Sequence, residues 1–443
     1  MIGKGLMLNC NKRVLILTSS GGGGHIQAAY AKEVELIEKN FRYIIKKDVF
    51  LDFLGSPLGP SFAGAWNFCQ THGKVTSLYF FSLCSGLVDT LISPIIMVKI
   101  LYQLIKHDID HIIDTQLNGT KVFLKSLRLV QTLKGKKITY EKILTDMPTS
   151  SCIHYFKPFL KLGKKDKKYL KVVTTYPYLE ENQTEEQFWQ NVSALTLKNI
   201  SYDKFPLRSA FNSFKPSNSP LCLSFNTYNP NNTHTICKCL SFGNTPFIRG
   251  KNSITFSFEK EFLSLITLGT FPQKTALIDY MLAFIEEKKS LCKERSDVLF
   301  LLVGPEKTSE SFFSSIISEI EKVKDYPKNL TIIPLSFQTD TVLAPLYYNL
   351  DFIIAKSGGL TTMEILQSVN GKIFIHEGSL PKFPSFLTSF MKRKIDTMPP
   401  WERGNANYLI AKKGAKMISS KNFSSVTRSF FLKNINSAAV SVV

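Results

Sequence analysis

Asp351-Phe352-Ile353-Ile354-Ala355-Lys356-Ser357-Gly358-Gly359-Leu360-Thr361-Thr362-Met363-Glu364-Ile365 is the stretch around which the rest of the chain is organised. Its apolar first part predicts a buried parallel strand, the two glycines a turn, and Thr-Thr-Met-Glu the first turns of a helix. A strand, a glycine turn and a helix N-terminus aim free N–H groups and the positive end of a helix dipole at one point. Glycine lets an anion approach that backbone closely. The hydroxyls of Ser357, Thr361 and Thr362 add donors, and Lys356 adds charge. Taken alone, the same pattern also describes a β–α turn that binds nothing.

A second stretch repeats the pattern near the N-terminus. Val14-Leu15-Ile16-Leu17-Thr18-Ser19-Ser20 reads as a strand, followed by Gly21-Gly22-Gly23-Gly24-His25 and the helical Ile26-Gln27-Ala28-Ala29-Tyr30-Ala31. Two such units, more than three hundred residues apart, predict two α/β domains that each offer a polar loop tip to a shared cleft.

A chain of 443 residues exceeds what one hydrophobic core usually serves, and 44% apolar with 20% charged residues is a globular composition. The net charge of +20 is uneven: residues 121–171 hold 14 Lys/Arg against 3 Asp/Glu. Such a block suits an anionic membrane surface or phosphorylated substrates, and also describes a solvated lysine-rich face. No nucleic-acid-binding signature accompanies it, so no nucleic acid partner is expected. The eight cysteines (Cys10, Cys69, Cys84, Cys152, Cys222, Cys237, Cys239, Cys292) are scattered, as in a reducing compartment. Cys237-x-Cys239 with His234 lacks a partner pair at zinc spacing, and no metal site is expected. Met1 to Arg13 has no apolar core, so no signal peptide is read.

Further strands are predicted at 46–53, 111–116, 138–145, 170–176, 262–270, 298–303, 330–334 and 371–376, separated by helical lengths as in a parallel doubly wound sheet. The most apolar part is 79–105, where only Asp89 and Lys99 are charged. With Asp89 and Pro94 mid-segment, a core helix pair or a surface dipping into a bilayer interface fits it better than a membrane span. From about 212 to 251, Asn, Ser, Pro and Thr crowd in; this reads as an irregular insertion or linker, with room for a β-hairpin.

Several short segments together resemble a known family. Ser20-Gly21-Gly22-Gly23-Gly24-His25-Ile26-Gln27-Ala28-Ala29 is similar to an S-x-G-x-G-H-x-x-A-A signature, and Leu144-Thr145-Asp146 to a V-T-D strand end. Pro206-Leu207-Arg208 resembles P-V-R, and Leu268-Gly269-Thr270 a Gly/Ser loop after a domain's first strand. Ser357 to Glu364 resembles S-G-x-x-T-x-x-E, and Trp401-Glu402-Arg403-Gly404-Asn405 resembles Q-E-x-G-N. In this order they resemble GT-B glycosyltransferases of one branch. That branch holds monogalactosyldiacylglycerol synthases, processive diacylglycerol glucosyltransferases and the N-acetylglucosaminyltransferase of lipid II synthesis. The likeness covers 13–30, 144–146, 206–208 and 266–420. Trp401 in place of Gln, and Phe271-Pro272 after Gly269-Thr270, depart from it.

The resemblance implies two Rossmann-like domains facing a central cleft: residues 1–205 on the acceptor side and 206–443 on the nucleotide-sugar side. It implies inverting, metal-independent transfer of a hexosyl or N-acetylhexosaminyl group from a UDP-sugar to an acceptor hydroxyl, with no further cofactor. The protein would be cytoplasmic and peripheral on a membrane whose lipid it glycosylates. A soluble or protein acceptor, or binding without catalysis, are the alternatives. His25 is the first candidate base, because histidine titrates near working pH and a glycine loop places it in a cleft; a histidine that donates to a diphosphate or caps a helix fits the same position. Asp146 is the second candidate base or orienter, or the start of an Asx turn before Pro148. Gly23, Gly24, Gly269, Thr270, Lys356, Ser357, Gly358, Gly359, Thr361 and Thr362 would receive the donor, with Arg208 adding charge. By resemblance Glu364 takes the ribose hydroxyls, although a solvated or capping glutamate fits the same position. Glu402 and Asn405, three apart on a helix start, share a face able to grip sugar hydroxyls, and Glu402 also reads as a simple first-turn acid.

Overall fold

The computed structural model describes residues 12–21, 23–151, 153–216, 219–291, 295–378 and 397–440. Gly22, Cys10, Cys152 and Cys292, named above, lie outside the described residues.

The first domain is built on β1 (Arg13–Thr18), β2 (Tyr43–Asp48), β3 (His111–Asp114), β4 (Thr139–Ile143), β5 (Leu170–Thr174) and β6 (Ile200–Tyr202). These form one parallel sheet in the order β2-β1-β3-β4-β5-β6. Val14 to Leu17 are fully buried, as a strand covered on both faces requires. The connecting helices used below are α1 (Gly23–Glu38), α2 (Leu58–Thr71), α3 (Val75–Lys106) and α4 (Thr120–Lys134). The strand expected over 46–53 stops at Asp48, whose carboxylate accepts from the amides of Phe50 and Leu51 and so starts a π-helical turn at Val49–Leu54.

The apolar 79–105 stretch is a single helix, α3, of 32 residues that runs through Pro94. Leu78, Ile92, Ile96, Ile100 and Leu104 are buried under it, while Leu87, Leu91, Ile95, Val98, Tyr102 and Ile105 are exposed. Spacings of three and four place the exposed set on one face. By length and composition, Gly86–Lys106 could cross a membrane.

Residues 212–251 are not an irregular insertion. β7 (Leu221–Asn226), α5 (Pro230–Leu240), β8 (Ile248–Arg249) and β9 (Ser253–Phe258) form an antiparallel sheet in the order β7-β9-β8 with its helix. Phe225, Ile236, Leu240 and Phe256 belong to the second domain's core. The polar Asn-Pro-Asn-Asn run that reads as a loop is a helix start: the Asn229 side chain accepts from the Asn232 amide, and Pro230 sits in the first turn.

The second domain follows with β10 (Phe262–Thr267), α6 (Lys274–Leu291), β11 (Asp297–Gly304), α7 (Glu306–Glu321), β12 (Leu330–Ser336), α8 (Asp340–Tyr348), β13 (Phe352–Ala355), α9 (Gly359–Ser368), β14 (Lys372–His376), α10 (Pro400–Lys413), β15 (Lys416–Ile418) and α11 (Phe423–Val440). Its parallel sheet has the order β12-β11-β10-β13-β14-β15. The order reverses between β10 and β13, which opens a crevice at their C-terminal ends; in the first sheet the reversal lies between β1 and β3. The two crevices face each other.

Candidate active site

One cavity of about 210 Å³ lies between the domains. On the second domain's side it follows the C-terminal ends of the strands: Ser336 and Phe337 after β12, Gly304 at β11, Gly269 and Thr270 after β10, and Lys356 with Gly358 and Gly359 after β13. Helix α9 starts at Gly359 with Gly358 as its cap, and no side chain caps its first amides. Those amides and the helix dipole therefore face the cavity as an anion site. Gly269 turns the β10 loop with φ +89, a conformation open to glycine, and a Cβ there would lie 3.5 Å from Lys356 Cδ. Lys356 Nζ is 3.0 Å from Glu402 Oε1, so a basic group is already held beside the helix start.

Further along, Arg208 grips Glu364: Nε lies 2.7 Å and Nη2 2.6 Å from Oε1. Burial pushes the Glu364 carboxyl above its ordinary value, and the Arg208 charge offsets part of that. Tyr347, Leu343, Phe337 and Gln338 complete this end of the cavity.

The first domain contributes Gly21, Gly23, Gly24, His25 and Gln27 from the glycine loop and α1, Trp66 and Gln70 from α2, and Thr145 and Asp146 after β4. His25 Nδ1 is 2.8 Å from the Thr115 carbonyl and 3.0 Å from the Thr145 hydroxyl. A carbonyl only accepts, so Nδ1 carries the proton and Nε2 is the basic nitrogen of the neutral ring. The domains touch closely here. A Cβ on Gly359 would lie 1.7 Å from the Thr145 carbonyl oxygen, and one on Gly23 would strike the Thr270 hydroxyl.

Thirteen of the sixteen residues singled out from the sequence line this cavity: Gly23, Gly24, His25, Asp146, Arg208, Gly269, Thr270, Lys356, Gly358, Gly359, Thr361, Glu364 and Glu402. Three do not. Ser357 is buried and its hydroxyl donates to the Glu402 carbonyl. Thr362 is fully buried one residue behind the lining. Asn405, also fully buried, spends its amide on Asp146, Met147 and Ser357. Sequence reasoning missed Trp66 and Phe337 as lining residues. Trp66 stacks on Trp401 across the cleft, with ring centroids 5.7 Å apart. No local motif marks either position; only the meeting of two domains puts them there.

Two parallel six-stranded sheets with their reversal points opposed across one cavity define the architecture. The fold is GT-B.

No family model and no curated protein matches the chain. Solved structures with a similar path include Acinetobacter baumannii MurG, with 13% identity, TM-score 0.44, and 97% of this chain and 91% of that one covered. Trehalose-6-phosphate synthase OtsA gives 9% identity, TM-score 0.43, and coverage of 95% and 90%. A Methanocaldococcus jannaschii UDP-GlcNAc 2-epimerase, solved with UDP-GlcNAc and UDP, gives 10%, 0.40, and 95% and 92%.

Proposed function

We propose that this GT-B protein transfers a hexosyl or N-acetylhexosaminyl group from a UDP-sugar to the hydroxyl of a membrane lipid. One observation carries the reading: an uncapped helix N-terminus with Lys356 beside it faces His25 and Asp146 across a single cavity. The diphosphate lies on the amides of Gly358 to Thr361, where Lys356 and the α9 dipole neutralise the charge that grows as the bond breaks. Glu364, tied to Arg208, receives the ribose hydroxyls, and the half-exposed ring of Phe337 offers a stacking face to the base. Glu402 meets the sugar. His25 Nε2 takes the proton of the acceptor hydroxyl as its oxygen bonds to the anomeric carbon; the bond from that carbon to the diphosphate oxygen breaks, and UDP leaves with the electron pair. Attack opposite the leaving group inverts the anomeric centre. Positive charge from Lys356 and α9 serves in place of a metal.

The α3 stripe supports the lipid acceptor. Its exposed apolar face, from Leu87 to Ile105, carries the exposed Lys99 and Lys106 on the same helix, and α4, which packs on α3, exposes Lys121 and Lys125; apolar surface with basic charge suits an anionic bilayer from the cytoplasmic side. Isothermal titration with UDP, followed by turnover of UDP-glucose, UDP-galactose and UDP-N-acetylglucosamine on anionic lipid vesicles, tests the proposal. Saturable UDP binding and vesicle-dependent sugar transfer are expected. A protein that binds no UDP refutes the reading; transfer only to soluble acceptors refutes its lipid part.

A further inference from the structure

Helix α10 carries three contacts to the first domain on one face. Trp401 stacks on Trp66, Asn405 reaches Asp146 and Met147, and the Tyr408 hydroxyl donates to the Tyr176 carbonyl at 3.1 Å. Steps of four and three residues align them along the helix. The same helix also holds the phosphate-binding loop of its own domain, through Glu402 to Lys356 and through the Glu402 carbonyl to the Ser357 hydroxyl.

Asn405 joins the two sets. Its Nδ2 donates to Asp146 Oδ1 at 2.7 Å and to the Ser357 carbonyl at 2.9 Å, and its Oδ1 accepts from the Met147 amide at 2.8 Å. All three partners lie beside the cavity, one in the loop before α9 and two at the end of β4. A fully buried amide spent in this way has no hydrogen left for a sugar.

We infer that Asn405 is a positioning residue: its amide locks the carboxylate of Asp146 to the phosphate-binding loop, so that Asp146 reaches its working orientation only when the two domains are shut. The inference rests on the transferase reading and adds to it a structural tie between the phosphate loop and a group on the opposite domain. Ser357 is the connecting point. Because Asn405 acts through Asp146, its removal changes the chemical step and leaves nucleotide binding in place.

The test is a double-mutant cycle in the full-length protein, with UDP affinity and kcat measured separately. Asn405→Asp keeps shape and the acceptor to Met147 but loses both donor hydrogens. Expected is a fall in kcat of at least about tenfold, with UDP affinity within about twofold of wild type. Added to Asp146→Ala, it should lower kcat by less than about twofold more, because both variants break one unit. Unchanged kcat overturns the inference, as do fully additive losses or a fall in UDP affinity that matches the fall in kcat. Asn405→Ser repeats the cycle should Asn405→Asp melt early; if neither folds, the residue is structural and the inference is overturned. Wild-type protein that binds no UDP overturns the transferase reading itself, a result distinct from each of these.

Discussion

In the proposed transfer, the chemistry turns on His25. Its Nδ1 is committed to the Thr115 carbonyl, so proton removal in this proposal falls to Nε2. His25→Ala should lower turnover about 10²- to 10⁴-fold with UDP binding unchanged, measured by steady-state kinetics beside calorimetric titration. Gly359 makes a different demand, because any Cβ there meets the Thr145 carbonyl of the opposite domain. Gly359→Ala should hold the domains apart, seen as a larger radius of gyration than wild type by solution scattering with UDP present, and as lost turnover. Most of these positions were legible in the sequence because a glycine loop and a helix start declare themselves within a few residues. Asn405 was not. Its distance from Glu402 along a helix suggested a shared sugar grip, but its partner Asp146 is 259 residues away, and no local pattern carries that information.

At the scale of elements, α3 was visible as an apolar run, but composition alone did not say which face was covered. The structure divides it into a buried face and an exposed one that is just as apolar. Leu91→Lys with Val98→Lys should weaken binding to anionic vesicles at least tenfold in sedimentation assays while leaving UDP affinity unchanged. The same helix buries Asp89, whose carboxyl is pushed up to about 6 by loss of solvent, with Oδ1 lacking a hydrogen-bond partner. The folded protein therefore binds this proton more tightly than the unfolded chain does. The stabilisation is complete below about pH 4 and is lost as pH rises through 6. Asp89→Asn should raise stability at pH 8 by about 2 kcal/mol and change it far less at pH 4, as urea unfolding at the two values will report. The β7–α5–β9 unit was misread for a related reason. Asn and Pro signal a turn and a helix cap equally well, and only the apolar residues buried beyond them decide between the two.

Across the whole molecule two buried groups, one in each domain, answer acid in opposite ways. His376 in the second domain is buried against the Tyr280 hydroxyl, and desolvation together with Lys356 pulls it down to about 4. The folded state binds this proton less tightly than the unfolded chain, so the contribution is present above about pH 6.5 and is lost as pH falls through 4. Between pH 7 and 5, Asp89 favours the first domain while His376 disfavours the second. Calorimetry should show two unfolding transitions that move apart on acidification, and His376→Gln should reduce the separation. The doubly wound plan of both halves was legible, since each strand states its burial in its own composition. The closed arrangement was not, because it depends on single residues meeting across a cleft.

That meeting leaves the protein with an optical gauge of its own. Of three tryptophans, Trp189 is sealed among Phe156 and Phe188 in the first domain, whereas Trp66 and Trp401 share one stack contributed from both sides. Two indoles at that separation couple electronically, and parting the halves would uncouple them while Trp189 supplied a constant background. Circular dichroism and emission of the unlabelled chain should then track opening and shutting in real time, with no dye attached.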